Sequence, residues 1–296
     1  MSAINLLQFI TNHPLNKGRK LKAIIQFMKW QFVSRLVPGD VVYEWVNGSR
    51  LLVRTGETGL TGNIYTGLHE FPEMGFLLHV LKSDDLFIDV GANVGSYTIL
   101  ACSAVGASGY AFEPVPTTYK RLMENIRLNH LENRVVLNNI AIGREQAVIK
   151  FTSDMDTVNH ALAEGEQRPN AISVQVSTLD TVLINESPVL MKIDVEGFET
   201  PVLEGGSETL SKKSLNAVII ELNGSGNRYG YDESRILELM FDHGFKTYSY
   251  NPFSRELINL KGKNLSSGNT LFIRDKAAIL DRLNESPVIN VHGKQF

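Results

Sequence analysis

The chain has 296 residues, of which 43% are hydrophobic and 21% charged, enough apolar sequence for a sizeable core and ordinary for a globular protein. A net charge of -3 provides no overall basic field for nucleic acid, and the single cysteine, Cys102, excludes an internal disulfide framework and suits a reducing compartment. Residues 1–10 lack the basic start and apolar run of a secretory signal, and no uncharged apolar stretch nears the roughly 20 residues that span a bilayer, so the cytoplasm is the expected location.

Residues 1–16 read as irregular. From 17 to 36, Leu21, Ile24, Ile25, Met28, Phe32 and Leu36 recur at helical spacing, accompanied by Lys17, Arg19, Lys20, Lys22, Lys29 and Arg35. Such a helix either packs its apolar stripe on the main domain, the simpler expectation, or makes peripheral contact with an anionic membrane surface. Strand-like runs at 41–46 and 51–54 flank Asn47-Gly48, a strong hairpin signal, and a helix is expected over 71–81.

Beyond that point strand and helix alternate. Strands are expected at 86–90, 110–113, 135–138, 189–194 and 217–222, with helices at 94–105, 116–128, 200–210 and 232–242. In the helix at 116–128, Tyr119, Leu122, Met123 and Ile126 form one stripe while Lys120, Arg121, Glu124 and Arg127 face away. This alternation implies an α/β fold whose parallel sheet is covered on both faces. Runs at 245–250 and 269–273 add an antiparallel pair, because the polar connection at 251–268 is too short for a crossover helix. That makes seven strands. Two further alternating runs, 148–152 and 172–176, surround the polar loop 153–170 and interrupt the pattern where substrate contacts often lie.

Residues 86–98 carry the chemistry. A short apolar strand ends in Asp89-Val90, then Gly91-Ala92-Asn93-Val94-Gly95 forms a turn that opens a helix. A dinucleotide fingerprint, G-x-G-x-x-G, needs glycine where Asn93 and Ser96 stand. An Asp two residues before G-x-x-x-G instead suits the cationic amino-acid end of S-adenosylmethionine. Glu113, 24 positions on, closes the second strand where a carboxylate can hold both ribose hydroxyls, and Ala141 follows the third strand near the expected adenine. An NAD enzyme uses the same strand end, so Glu113 alone does not choose between cofactors.

The fourth strand delivers Asp194 and Glu196, and the fifth Glu221 and Asn223. Asp194 is placed to orient an acceptor or take its proton; with Glu221 and Asn223 it could also offer oxygen ligands to Mg²⁺. The [D/N]-P-P-[Y/F] pattern of base-modifying enzymes is missing from this segment, a second argument against nucleic-acid substrates. His160 in the inserted loop is a candidate base near neutral pH. Tyr65, His69 and Glu70 stand where they either close over the donor or open a helix, in which case Glu70 suits the macrodipole. His243 beside Gly244 reads as a helix C-terminus.

Three blocks resemble the FkbM family of S-adenosylmethionine-dependent methyltransferases: F-I-D-V-G-A-N-V-G-S-Y-T at 87–98, F-E-P at 112–114 and K-I-D-V-E-G-F-E at 192–199. Shorter matches at 64–70, 202–205 and 219–221 extend it, and the similarity covers roughly 60–275. The resemblance implies a class I methyltransferase (Rossmann-like) fold and, most often, O-methylation of a hydroxyl on a sugar, polyketide or other natural product. Asp89, Gly91, Asn93, Gly95 and Glu113 match the family's donor-binding positions; Asp194 and Glu196 match its second motif. The expected organisation is an N-terminal helical and hairpin extension (1–63), a methyltransferase domain (64–280) and a tail (281–296). The expected acceptor is a small molecule or glycan such as a lipid-linked saccharide. A non-catalytic donor-binding protein and a nicotinamide-dependent oxidoreductase are the alternatives.

Overall fold

The structure is a computed structural model that describes residues 3–36, 39–54, 58–155 and 158–296. Asp156 and Thr157 of the loop expected at 153–170 lie outside the described residues.

Two helices, α1 (Ala3–Asn12) and α2 (Lys20–Leu36), open the chain. The irregular segment expected over 1–16 is therefore largely helical. Tertiary contact supplies the reason: Ile10 and Leu15 are fully buried, and the Asn16 amide donates to Ile10 O (2.9 Å) and Tyr65 O (3.0 Å). Helix α2 packs through Ala23, Trp30 and Ser34, so the Leu21, Ile25, Met28, Phe32 and Leu36 stripe faces outward rather than into the protein. The hairpin forms as expected, with β1 (Val41–Glu44) antiparallel to β2 (Arg50–Val53). Helices α3 (Thr58–Thr66) and α4 (Phe71–Val80) follow, α4 buried on nearly every side.

The core then runs β3 (Leu86–Val90), α5 (Ser96–Ile99), β4 (Ser108–Phe112), α6 (Pro116–Leu128) and β5 (Val135–Asn138). After α5 the helix widens into π-helical turns over Leu100–Val105. Asn125 and Asn129 of α6 pair with the edge of β2: Leu52 N–H donates to Asn125 Oδ1 (2.7 Å) and Arg50 N–H to Asn129 Oδ1 (2.8 Å). The inserted unit comprises β6 (Ala141–Ile142), β7 (Ala147–Phe151) and β8 (Ile172–Ser177), a separate sheet in the order β6-β8-β7. Then come α7 (Leu179–Val182), β9 (Leu190–Ile193), α8 (Glu199–Glu204), α9 (Ser207–Ser211), β10 (Ala217–Glu221) and α10 (Glu233–Asp242). The single helix expected at 200–210 breaks at Gly205-Gly206, where a Cβ on Gly205 would stand 2.0 Å from Gly143 O. The chain ends in β11 (Lys246–Asn251), β12 (Glu256–Asn259), β13 (Asn269–Ile273), α11 (Lys276–Glu285) and a hairpin of β14 (Asn290–Val291) and β15 (Lys294–Gln295).

The main sheet has the order β12-β11-β13-β10-β9-β3-β4-β5. From β10 to β5 all pairs are parallel, and β13 runs antiparallel to both neighbours. This is the class I methyltransferase fold, with eight strands where seven are expected. The eighth, β12, arises because the 251–268 connection doubles back and pairs with β11. Strand order reverses between β3 and β9, the position at which open α/β sheets form a ligand crevice.

Side-chain alternation divides the core in two. Ile88 and Val90 of β3, Met191 and Ile193 of β9, and Val218 and Ile220 of β10 pack on one face. Phe87, Leu190, Ala217 and Ile219 pack on the other, against α4 and the N-terminal helices. Each of these buried Val, Ile, Leu, Met and Phe side chains contributes about 1.5–3 kcal/mol from removal of apolar area from water. Period-2 continuation of the second face brings Asp89, Lys192 and Glu221 to the carboxyl ends of three adjacent strands. Asn269, in register with Glu221, extends the row onto β13.

Candidate active site

The turn after β3 is built for close approach. Gly91, Asn93 and Gly95 have φ of 82°, 51° and 97°, in the left-handed region that favours glycine. A Cβ on Gly91 would lie 1.8 Å from the Asp194 carbonyl oxygen, so only glycine lets the turn pass the end of β9. Gly91 and Ala92 N–H groups both donate to Phe112 O (3.0 and 2.9 Å), which ties the turn to β4. Asp89 is buried and accepts from the Thr98 hydroxyl (2.5 Å); burial pushes its carboxyl up to about 6. Glu113 accepts from Asn93 N–H (3.0 Å) and Val115 N–H (2.9 Å), and burial pushes it to about 7.

Two cavities meet at this turn. The smaller, about 50 Å³, is lined by Gly91, Asn93, Glu113, Ile140 and Ala141, with Phe151 and Asn159 contributed by the inserted unit. The larger, about 730 Å³, is lined by Asp89, Glu70, Lys192, Asp194, Glu196 and Glu221 on the sheet side. Phe9, Trp30 and Arg35 of the N-terminal helices line its other side, together with Tyr65 and His69. Gly91, Asn93, Asp194 and Glu196 border both.

Lys192 organises the larger cavity. Its ammonium donates to Asn269 Oδ1 (2.7 Å) and Asp194 Oδ2 (3.1 Å) and lies 5.4 Å from the centre of the Tyr97 ring. Burial works against this charge, yet the Asp194, Glu70 and Glu221 carboxylates outweigh it and hold the lysine above its usual value. Glu70 in turn accepts from the Tyr97 hydroxyl (2.5 Å) and the Asn269 amide (2.7 Å). Carboxylate oxygens of Asp194, Glu196 and Glu221 lie within 4.8 Å of one another. Asn223 is not part of this group; its side-chain oxygen accepts from Ser225 N–H (2.9 Å). Glu196 has φ of 54°, a strained conformation for a side chain of this size, and burial beside Asp194 pushes its carboxyl to about 7. Burial and the Asp194 charge push Glu221 to about 9, and its Oε2 is buried without a hydrogen-bond partner.

Of the residues singled out in the sequence, the fold gathers Asp89, Gly91, Asn93, Glu113, Ala141, Asp194, Glu196, Glu221 and Glu70 around the paired cavities. Gly95 caps α5 behind the turn. His160 is not brought there. It is buried in the inserted unit, with Nδ1 2.9 Å from Val158 O and Nε2 3.5 Å from Glu166, and it lines neither cavity. The loop folds back on β7, where Thr152 N–H donates to His160 O, and this holds the ring among its own neighbours. His243 caps α10 as expected. Lys192, Tyr97 and Asn269 received no role from the sequence. The legible signal was a lysine inside a four-residue strand of otherwise apolar residues, since lysine is almost never fully buried unless paired.

The clustered acids predict a pH dependence of stability. Burial raises six carboxyls: Asp89 to about 6, Glu73, Glu113, Glu196 and Glu199 to about 7, and Glu221 to about 9. The folded chain retains protons there that the unfolded chain has released, so stability is lost as pH rises from the unfolded values through the folded ones. His13, His79 and His292, lowered by burial to about 4, act in the opposite sense between about 4 and 6.5. His69, also lowered by burial, acts in the same sense as these three, and four groups against six leave the net slope downward. Thermal unfolding without donor is expected to give a lower midpoint near about pH 8 than near about pH 5.5. A midpoint that rises over this range contradicts the assignment.

The chain matches the methyltransferase FkbM domain over residues 89–247, more than half its length, and belongs to the FkbM methyltransferase family. It is 30% identical over 179 residues to the hexuronic acid methyltransferase AglP of Haloferax volcanii, covering 58% of this chain and 67% of that one. Among solved structures it is similar to the FkbM methyltransferase of Methylobacillus flagellatus, at 14% identity and a TM-score of 0.43, over 72% of this chain and 52% of that chain. It is also similar to a SAM-dependent O-methyltransferase of Thermotoga maritima, at 13% identity and a TM-score of 0.37, over 68% of this chain and 62% of that one.

Proposed function

We propose that this methyltransferase uses S-adenosylmethionine to O-methylate a hydroxyl of a sugar or glycan. The carrying observation is the juxtaposition at Gly91. A turn that tolerates no Cβ passes between a pocket edged by the buried Glu113 and a large cavity holding Asp194. The residues fit the donor. Glu113 would hold the ribose hydroxyls, Ile140 and Ala141 would border the adenine, and Gly91, Asn93 and Gly95 would shape the turn around the amino-acid end. Asp89 and Glu70 supply carboxylates for its ammonium group. When bound, the donor supplies a methyl already activated on a sulfonium.

This chain's residues have two tasks: to hold an acceptor hydroxyl in line, which alone contributes several kcal/mol, and to receive its proton. Asp194 stands at the switch point with its carboxylate oriented by Lys192, and Glu196 provides a further acceptor beside it. Mg²⁺ has no part in this reading, because the buried Lys192 ammonium already neutralises Asp194 from within the cluster. The relation to a hexuronic acid methyltransferase and the roomy cavity support a saccharide acceptor.

Incubation of purified protein with methyl-labelled donor and acidic or neutral glycans is expected to give label stable to mild base, as an ether is. Label lost in mild base points to a carboxyl ester and overturns the hydroxyl assignment. Label only on amines or nucleic acid overturns the acceptor class.

A further inference from the structure

The outer face of α2 has no role in the donor site, and its composition is unusual for an exposed surface. Leu21, Ile25, Met28, Phe32 and Leu36 follow one another at steps of 4, 3, 4 and 4 residues, which places them on one helical stripe. All are exposed, Leu21 by 71% and Phe32 by 67%. Lys22 and Lys29 border the stripe on one side, Lys20 and Arg35 on the other. The first 36 residues contain six Lys and Arg and no Asp or Glu, whereas the whole chain is at -3, so the remaining 260 residues carry -9. Positive charge is thus segregated onto the segment that exposes the apolar stripe. The opposite side of the same helix, through Trp30, Gln31 and Ser34, walls the 730 Å³ cavity.

We infer that α2 docks in the plane of an anionic lipid surface, with the apolar stripe entering the acyl boundary and the flanking lysines meeting acidic headgroups. Apolar area and basic flanks on one helix are the two contributions such binding requires. No helix among the described residues is long and apolar enough to cross a membrane, so the contact is a surface one. Charge decides against a second copy of this chain as the occupant: two such faces would set basic flanks against each other. The docking is a property of α2 alone. It rests on the proposed reaction only for its use, which is to bring the cavity wall within reach of acceptors carried on lipid.

The test is flotation of the full chain with vesicles of phosphatidylcholine, with and without about one third phosphatidylglycerol. Binding is expected to be at least about tenfold stronger on the anionic vesicles and to weaken with salt. The double variant Met28→Glu, Phe32→Glu should lose binding by about tenfold or more while keeping its circular dichroism, because both side chains are exposed and line neither cavity. A second pair, Lys22→Glu and Lys29→Glu, should lose the preference for anionic lipid. No flotation on either vesicle overturns the inference, as does equal binding to both. A dimer in sedimentation that the Met28→Glu, Phe32→Glu variant dissolves, without vesicle binding by the parent chain, overturns it in favour of self-association. Heat of binding of S-adenosylhomocysteine reports the donor site separately, so failure of docking and failure of the proposed reaction are distinguishable.

Discussion

Asp194→Asn is expected to lower turnover by at least about 100-fold while leaving affinity for S-adenosylhomocysteine within about threefold, because loss of a positioned proton acceptor typically costs 10²–10⁴ in rate. The substitution keeps size and one acceptor oxygen, so Lys192 can retain a partner there in addition to Asn269 Oδ1. What disappears is the negative charge at the switch point. Donor contacts assigned to Glu113, Asp89 and the glycine turn are untouched. Turnover measured with labelled donor, alongside calorimetry with the demethylated product, separates the two effects. Full activity in the variant removes Asp194 from the proton-accepting role and transfers it to Glu196. Loss of donor affinity in parallel with turnover would assign Asp194 to binding.

Gly91→Ala is expected to have the larger effect on the molecule as a whole. A Cβ would stand 1.8 Å from the Asp194 carbonyl oxygen, and φ of 82° disfavours any L side chain. Neither the turn nor the end of β9 can move freely, since Gly91 N–H is bonded to Phe112 O and Asp194 N–H to Val90 O. Relief therefore requires distortion at the centre of the sheet, at a cost of about 3 kcal/mol or more from combined clash and backbone strain. The expected readouts are a lowered thermal midpoint and no detectable heat with S-adenosylhomocysteine. Gly262→Ala provides the control, because nothing lies within 4 Å of its Cβ position and its φ is ordinary; its stability should change by less than about 0.5 kcal/mol. An unperturbed midpoint and normal donor binding in Gly91→Ala would show that the turn is not the cradle described.

Both predictions depend on a region that is legible in the sequence alone. The apolar strand at 86–90, the turn at Gly91 and Gly95 and the acid at Glu113 are local signals, set by residues within a few positions of one another. Their neighbours could be read for the same reason. The helix at 116–128, marked by its apolar stripe, and the strand at 135–138 fall where they are expected. His160 shows the limit of that reasoning. A histidine in a polar loop has the right chemistry for a base, but only the path of the chain decides whether it meets the cavity, and the fold-back on β7 leaves it among Val158 and Glu166.

The sequence by itself determined the alternating α/β layout, the donor turn and the acids at the ends of the fourth and fifth strands, because period and spacing are properties of the chain. Tertiary structure decided which face each residue occupies. Only the shared side of β3, β9 and β10 joins Lys192 to Asp194, Asn269 and the Glu70–Tyr97 pair, contacts that span up to 199 positions. Only packing turned α2 so that Ala23, Trp30 and Ser34 went inward and its longest apolar stripe went out. Helical periodicity identifies a stripe, and the partner surface chooses whether that stripe is buried.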